Sequence, residues 1–163
     1  MMSHKSTTSD QLFSLLEGTW TGEGRGEFPG VTYFDYRETL TFTRRDQMYL
    51  DYEQKAQKRY DGQTEYLPSH AETGSIHILE NGELELVSAQ VGRNEVLIGS
   101  IEPIGTMFRI YFVSKSITDD PRMISSTRTF ELEGETLTYE MSMHTTKVAQ
   151  LTPHLKISLQ RTK

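Results

Sequence analysis

The chain contains no cysteine. It therefore has no disulfide, no thiolate nucleophile and no cysteine-based metal site. No apolar run approaches the ~20 residues that a membrane helix requires. The first residues, Met1-Met2-Ser3-His4-Lys5-Ser6, lack the hydrophobic stretch of a secretory signal. Positive charge is in short supply: 17 Lys and Arg stand against 23 Asp and Glu, for a net charge of −6. No basic cluster exceeds the pairs Arg44-Arg45 and Lys58-Arg59. Nucleic acid and membrane are thus disfavoured as partners, and a cytoplasmic location is expected. Catalytic motifs are missing too. There is no Gly-x-Ser-x-Gly elbow, no His-x-His pair or zinc-spaced ligand set, and no glycine loop opening a helix to cradle phosphate. Carboxylates are plentiful, but nothing in the sequence pairs two of them as a glycosidase needs.

What is present points to a β-protein. The 163 residues suit one domain, expected over residues 9–163 after a disordered tail of residues 1–8. Thr8-Ser9-Asp10-Gln11 has capping-box spacing, predicting a short helix that buries Leu12, Leu15 and Leu16 and stops at Gly18. Beyond it, β-rich runs alternate with turn chemistry such as Asp61-Gly62 and Asn81-Gly82, which tolerate positive φ. Ten strands are predicted, at about 18–28, 32–43, 47–58, 69–79, 83–90, 95–101, 106–115, 124–132, 135–144 and 154–161. Short connections imply an antiparallel meander. Closing it into a barrel removes the exposed edges and leaves room for one small ligand.

The segment Gly18-Thr19-Trp20-Thr21-Gly22-Glu23-Gly24-Arg25-Gly26 puts Trp20, Gly22, Gly24 and Gly26 on one strand face. Glycines so placed imply a close approach by another group, or a bent first strand.

Among the histidines, His4 sits in the tail, and His70 and His77 share strand faces with Glu72 and Ser75. His154 opens the last strand after Thr152-Pro153. A neutral imidazole at a barrel mouth is a candidate iron ligand. Strict alternation instead places His154 with Lys156 and Ser158 on the outward face, so an inward role requires Pro153 and the adjacent loop to redirect it. Arg109 with Tyr111, and Arg128 with Phe130, each read either as a carboxylate anchor inside the barrel or as a solvated group outside. Met107, Met123, Met141 and Met143 read as core filling that also suits a flat aromatic ligand.

Two segments resemble the nitrobindin family, heme-binding barrels that also occur as the C-terminal domain of a THAP-type protein. Gly18-Thr19-Trp20-Thr21-Gly22-Glu23-Gly24 matches its G-x-W-x-G-x-G, continuing through Gly26-Glu27-Phe28-Pro29 and Phe34-x-Tyr36-x-Glu38. Arg128-Thr129-Phe130, Leu137-x-Tyr139, Met143 and Leu151-x-x-His154-Leu155 form the second. His70-Ala71-Glu72-Thr73-Gly74 and Leu86-Val87-Ser88-Ala89-Gln90 fall between them in family order. The resemblance implies a ten-stranded, lipocalin-like antiparallel barrel. It implies one heme b with His154 as axial ligand, binding of nitric oxide, and conversion of peroxynitrite to nitrate at ferric iron. It places Phe28, Gly30, His70, Gln90, Met143 and His144 near the heme, in a monomer or homodimer. Gly30 replaces a family threonine, removing a hydroxyl contact, and Tyr33 replaces a proline and is expected to narrow the pocket. The alternative reading is an intracellular carrier of a fatty acid or similar small amphiphile, without heme, using Arg109 or Arg128.

Overall fold

Alternation of apolar and polar residues becomes alternation of burial. In β5 (Leu84–Gln90), for instance, Leu84, Leu86 and Ser88 are buried while Val87 and Ala89 are exposed. The computed structural model describes residues 8–29 and 31–162. Helix α1 (Thr8–Leu16) is followed by β1 (Gly18–Phe28), β2 (Val31–Arg44), β3 (Tyr49–Tyr60) and β4 (Leu67–Ile78). After β5 come β6 (Arg93–Ile104), β7 (Met107–Thr118), β8 (Met123–Glu133), β9 (Thr136–Thr145) and β10 (Thr152–Arg161). Each strand pairs antiparallel with the next, and β10 returns to β1 to close the barrel. Gly62 and Gly82 hold φ of +85° at the two strongest predicted turns. Of the expected tail, residues 1–8, only Thr8 is among the described residues, and it opens α1.

One barrel end is stoppered. Leu12, Phe13 and Leu16 of α1 are fully or almost fully buried, and the buried Trp20 Nε1 donates to the Leu16 carbonyl at 2.9 Å. Leu15, expected on the buried face, is 46% exposed. Phe13 takes its place, because the buried stripe runs through Ser9, Leu12, Phe13 and Leu16 rather than one position further round the helix. Arg44 ties Asp10 and Ser14 to the wall, and Arg161 binds the carbonyls of Leu15 and Glu17 while lying over the Trp20 ring.

The glycine face of β1 answers to neighbouring protein. A Cβ on Gly22 would lie 2.1 Å from the Ser158 carbonyl oxygen, and one on Gly24 2.6 Å from that of Lys156. At Gly26 the Phe34 ring would be met at 2.1 Å. The space a side chain would need is taken by the β10 backbone at Gly22 and Gly24 and by the Phe34 ring of β2 at Gly26, so the close approach to this face is made by the protein itself.

The barrel interior is not uniformly apolar. Arg128, buried among core residues, donates to Glu72 Oε1 at 2.6 Å and to Glu95 Oε2 at 2.8 Å. Tyr52 and Ser88 also donate to Glu72 Oε1, at 2.5 and 2.6 Å, and Ser126 donates to Glu95 Oε1 at 2.8 Å. Burial alone would raise the Glu72 carboxyl, but the Arg128 guanidinium and these donors hold it well below the usual carboxylate range. Glu38 is treated differently. Burial pushes it up to about 8, opposed by the Tyr36 hydroxyl at 3.3 Å, reinforced by Glu72 and opposed again by Arg128. Glu38 Oε2 has no hydrogen-bond partner among the described residues, as suits a neutral carboxyl. An internal cavity between Phe42, Tyr52, Gln54, Arg128 and Tyr139 holds only about 20 Å³.

Three outcomes follow from this packing. Gly22→Ala should cost more than about 2 kcal/mol in urea unfolding, against near neutrality for the outward Glu23→Ala. Arg128→Met should cost about 3–5 kcal/mol by stranding two buried carboxylates, with partial recovery on adding Glu72→Gln. Glu38 keeps its proton longer in the native than in the unfolded state, so stability falls as pH rises from about 4.5 to about 8. That slope is at most about 1.4 kcal/mol per pH unit from this group. Glu72, shifted the other way, contributes only below that window. Unfolding across pH 5–9 should therefore show a shallower decline in Glu38→Gln.

Candidate functional site at the open barrel mouth

At the end opposite α1, register shifts interrupt several strand pairs, among them those between Gly26 and Phe28, between Ala56 and Gln57 beside Ser69, between Met123 and Ser125, and between Pro153 and Leu155. Bulges at a barrel rim re-aim side chains. The last one leaves His154 as the unpaired residue of β10, since Pro153 faces Ser142 and Leu155 faces Met141. The outward orientation that strict alternation gives His154 is thereby broken. Its ring is partly buried, packs edge-on against Phe28 at 5.6 Å, and lines a mouth cavity of about 200 Å³.

His154 Nδ1 lies 2.9 Å from the Glu27 carbonyl oxygen. A carbonyl only accepts, so Nδ1 carries the hydrogen and, in the neutral ring, Nε2 carries the lone pair. Burial lowers the His154 pKa; the Glu27 carbonyl opposes this, and the nearby Arg93 and His70 lower it further. The imidazole is thus held neutral, in one tautomer, with one nitrogen free.

The same cavity is lined by Phe34, Tyr36, Tyr139, Met141 and Leu155. His70 lines it too, its Nε2 3.3 Å from Glu72 Oε2 and so linked to the interior charge cluster. A second mouth cavity of about 170 Å³ is lined by Phe28 and Met143. Arg93 borders both cavities. Gln90 lines neither but accepts from Arg93 Nη2 at 3.1 Å. His144 of β9 pairs with Ser125 of β8 and is not among the residues lining either cavity. Gly30 lies outside the described residues.

Other expectations change. Tyr33 is 42% exposed, its hydroxyl accepts from Arg25 at 2.7 Å, and it lines neither of these two cavities but a further one beside Phe28, Pro29 and Pro153. Arg109 pairs with Glu102 and Glu131 in solvent. Arg128 lies inside, but Glu72 and Glu95 already neutralise it. Only about 20 Å³ is free in the cavity beside it, so an acyl chain has little room next to this arginine. His77 stacks on Tyr49 at 4.2 Å, far from this chemistry.

Arg93, Lys58, Tyr36 and Tyr139 are mouth residues that sequence reasoning missed. Arg93 stands in a Gly-Arg-Asn turn, where exposure is the ordinary expectation, and both tyrosines read as core face. Among the described residues no three His, Asp or Glu cluster to hold a bare metal ion. One oriented neutral imidazole beside aromatic and thioether walls instead fits a metal that brings its own equatorial ligands.

Comparison with known proteins agrees. The chain is 36% identical over 132 residues to peroxynitrite isomerase 1 of Mycolicibacterium paratuberculosis (strain ATCC BAA-968 / K-10), covering 78% of this chain and 80% of that protein. It is 33% identical over 149 residues to "Peroxynitrite isomerase Rv2717c" of Arabidopsis thaliana, covering 91% and 86%. The crystal structure of Rv2717c from M. tuberculosis superposes with a TM-score of 0.83 at 28% identity, covering 96% of this chain and 99% of that one. Residues 11–161 match the family model described as the THAP4-like, heme-binding β-barrel domain. With its fold and most of its length matched, this chain belongs to that heme-binding barrel family.

Proposed function

We propose that the chain holds one b-type heme at the barrel mouth through His154 and converts peroxynitrite to nitrate, with nitric oxide as a second ligand of the same site. The single observation that carries this reading is the His154 imidazole, turned inward by a bulge and fixed through Nδ1 by the Glu27 carbonyl. It is supported by family membership and by the names of the relatives.

When bound, the heme supplies an electrophilic ferric centre at which the weak O–O bond of peroxynitrite is labilised. Everything else falls to the protein. His154 would hold the heme iron through its one free nitrogen lone pair. Its Nδ1–H···O=C bond preserves the tautomer and raises the basicity of the free nitrogen. Phe28 restrains the ring edge-on. Phe34, Met141 and Leu155 supply apolar surface, worth roughly 25 cal/mol per Å² removed from water. The Tyr36 and Tyr139 hydroxyls remain neutral, because burial pushes both far above the ordinary phenol range. Isomerisation of ONOO⁻ to NO₃⁻ consumes no proton and no electron, so the site needs neither a proton donor nor a redox partner. The mouth walls would confine a small anion beside the bound group.

Replacing His154 by Ala should abolish the sharp Soret band on hemin addition and the peroxynitrite-to-nitrate conversion, while the unfolding transition persists. Undiminished binding with an unchanged spectrum would refute ligation through this residue.

A further inference from the structure

Arg93, Lys58, Arg122 and Lys147 line the two mouth cavities of a protein that is otherwise acidic, and of these Arg93 and Lys58 share the cavity of His154. Arg93 is only 16% exposed, yet its guanidinium is incompletely used. Nη2 donates to Gln90; Nη1 is 3.5 Å from Asp120 Oδ2. Nε is 3.9 Å from Glu95 Oε2 and has no hydrogen-bond partner. Glu95 itself is engaged by Arg128, Ser126 and Gln90 at 2.8 to 2.9 Å. Asp120 is likewise satisfied without Arg93, since Arg122 grips it through Nε at 2.9 Å and Nη2 at 3.1 Å. Arg93 can therefore turn its charge to a new acceptor without stranding a carboxylate.

Lys58 is the second cation. It lines the same cavity as His154 and Arg93. Its ammonium lies over the rings of Phe34 and Tyr60, 5.5 and 5.1 Å from their centroids. It makes no ion pair with any described residue. Aromatic faces hold an ammonium in place without neutralising it. One side of the mouth thus presents apolar and aromatic surface, and its rim presents two under-committed positive charges. This arrangement suits a flat apolar ligand that carries two carboxylates.

Resting on the heme reading above, we propose that Arg93 and Lys58 anchor the two carboxylate arms of the porphyrin, and so select a dicarboxylate tetrapyrrole over an uncharged one. Charge-assisted hydrogen bonds from a guanidinium and an ammonium at a half-buried rim are the strongest polar contacts available there. A fatty acid offers the same carboxylate chemistry, but only one charge and no surface for the imidazole side of the cavity.

The test is a titration followed by the Soret band and by quenching of Trp20, the only tryptophan. Hemin and its dimethyl ester are each added to the wild type, Arg93→Gln, Lys58→Gln and the double variant. The wild type should prefer hemin over the ester by about 10- to 100-fold. Each single variant should lose most of its share of that preference while holding the ester as the wild type does, and the double variant should bind both alike. Unchanged preference in the variants overturns the assignment. So does an equal loss of both ligands, which marks a structural role, and so does displacement of hemin from the wild type by equimolar laurate, which marks a fatty-acid site. A wild type that binds hemin while the variants behave like it refutes only the anchors; a wild type that binds no hemin refutes the heme reading and the anchors together.

Discussion

Everything at the mouth depends on how β1 meets β10. The seam runs from Trp20 opposite Arg161 to Gly26 opposite Leu155, and it is drawn tight because Gly22 and Gly24 present no side chains to the backbone of β10. Just beyond its last pair, the Glu27 carbonyl comes within reach of His154 Nδ1. A looser seam would close the barrel and still lose that contact. The glycines of the first strand thus act on the imidazole of the last one, through backbone geometry and not through any contact with a ligand.

The interior completes this division of labour. The end covered by α1 is filled with Leu12, Phe13, Leu16 and Trp20. The middle is occupied by Arg128 and its carboxylate and hydroxyl partners. Buried ion clusters of this kind are poor stabilisers compared with hydrocarbon of the same volume, but breaking one is costly. Here the cluster also uses the volume in which a hollow barrel would store a ligand. The molecule is therefore less a container than a rigid wall that presents chemistry at its rim.

The fold was legible because its signals are local. Paired turn residues such as Asn81-Gly82 and one-sided runs such as Leu137-Tyr139-Met141-Met143 mark strand ends and faces without reference to distant residues. The helix face was read one position off, since Leu15 and Phe13 are equally apolar and only the packing distinguishes them. The site was harder. The run Phe34-Tyr36-Leu40-Phe42 contains Glu38 on the same face, and Arg128 alternates with Phe130 and Leu132. A charge on an apolar face is a readable sign of a buried network, but which carboxylate meets which cation depends on strands dozens of residues apart. The direction of His154 depends on a bulge, and a bulge has no dependable sequence mark. There strict alternation points outward, whereas the bulge leaves His154 lining the mouth cavity.

The bond between Glu27 and His154 joins residues 127 positions apart. Contacts of such long range are paid for in loop-closure entropy before they return any stability, and they slow the folding of β-rich chains. Neighbouring hairpins of this meander can form in sequence during synthesis, but the mouth has no oriented imidazole until β10 docks on β1. An oriented imidazole is therefore a late product of folding, following closure rather than guiding it.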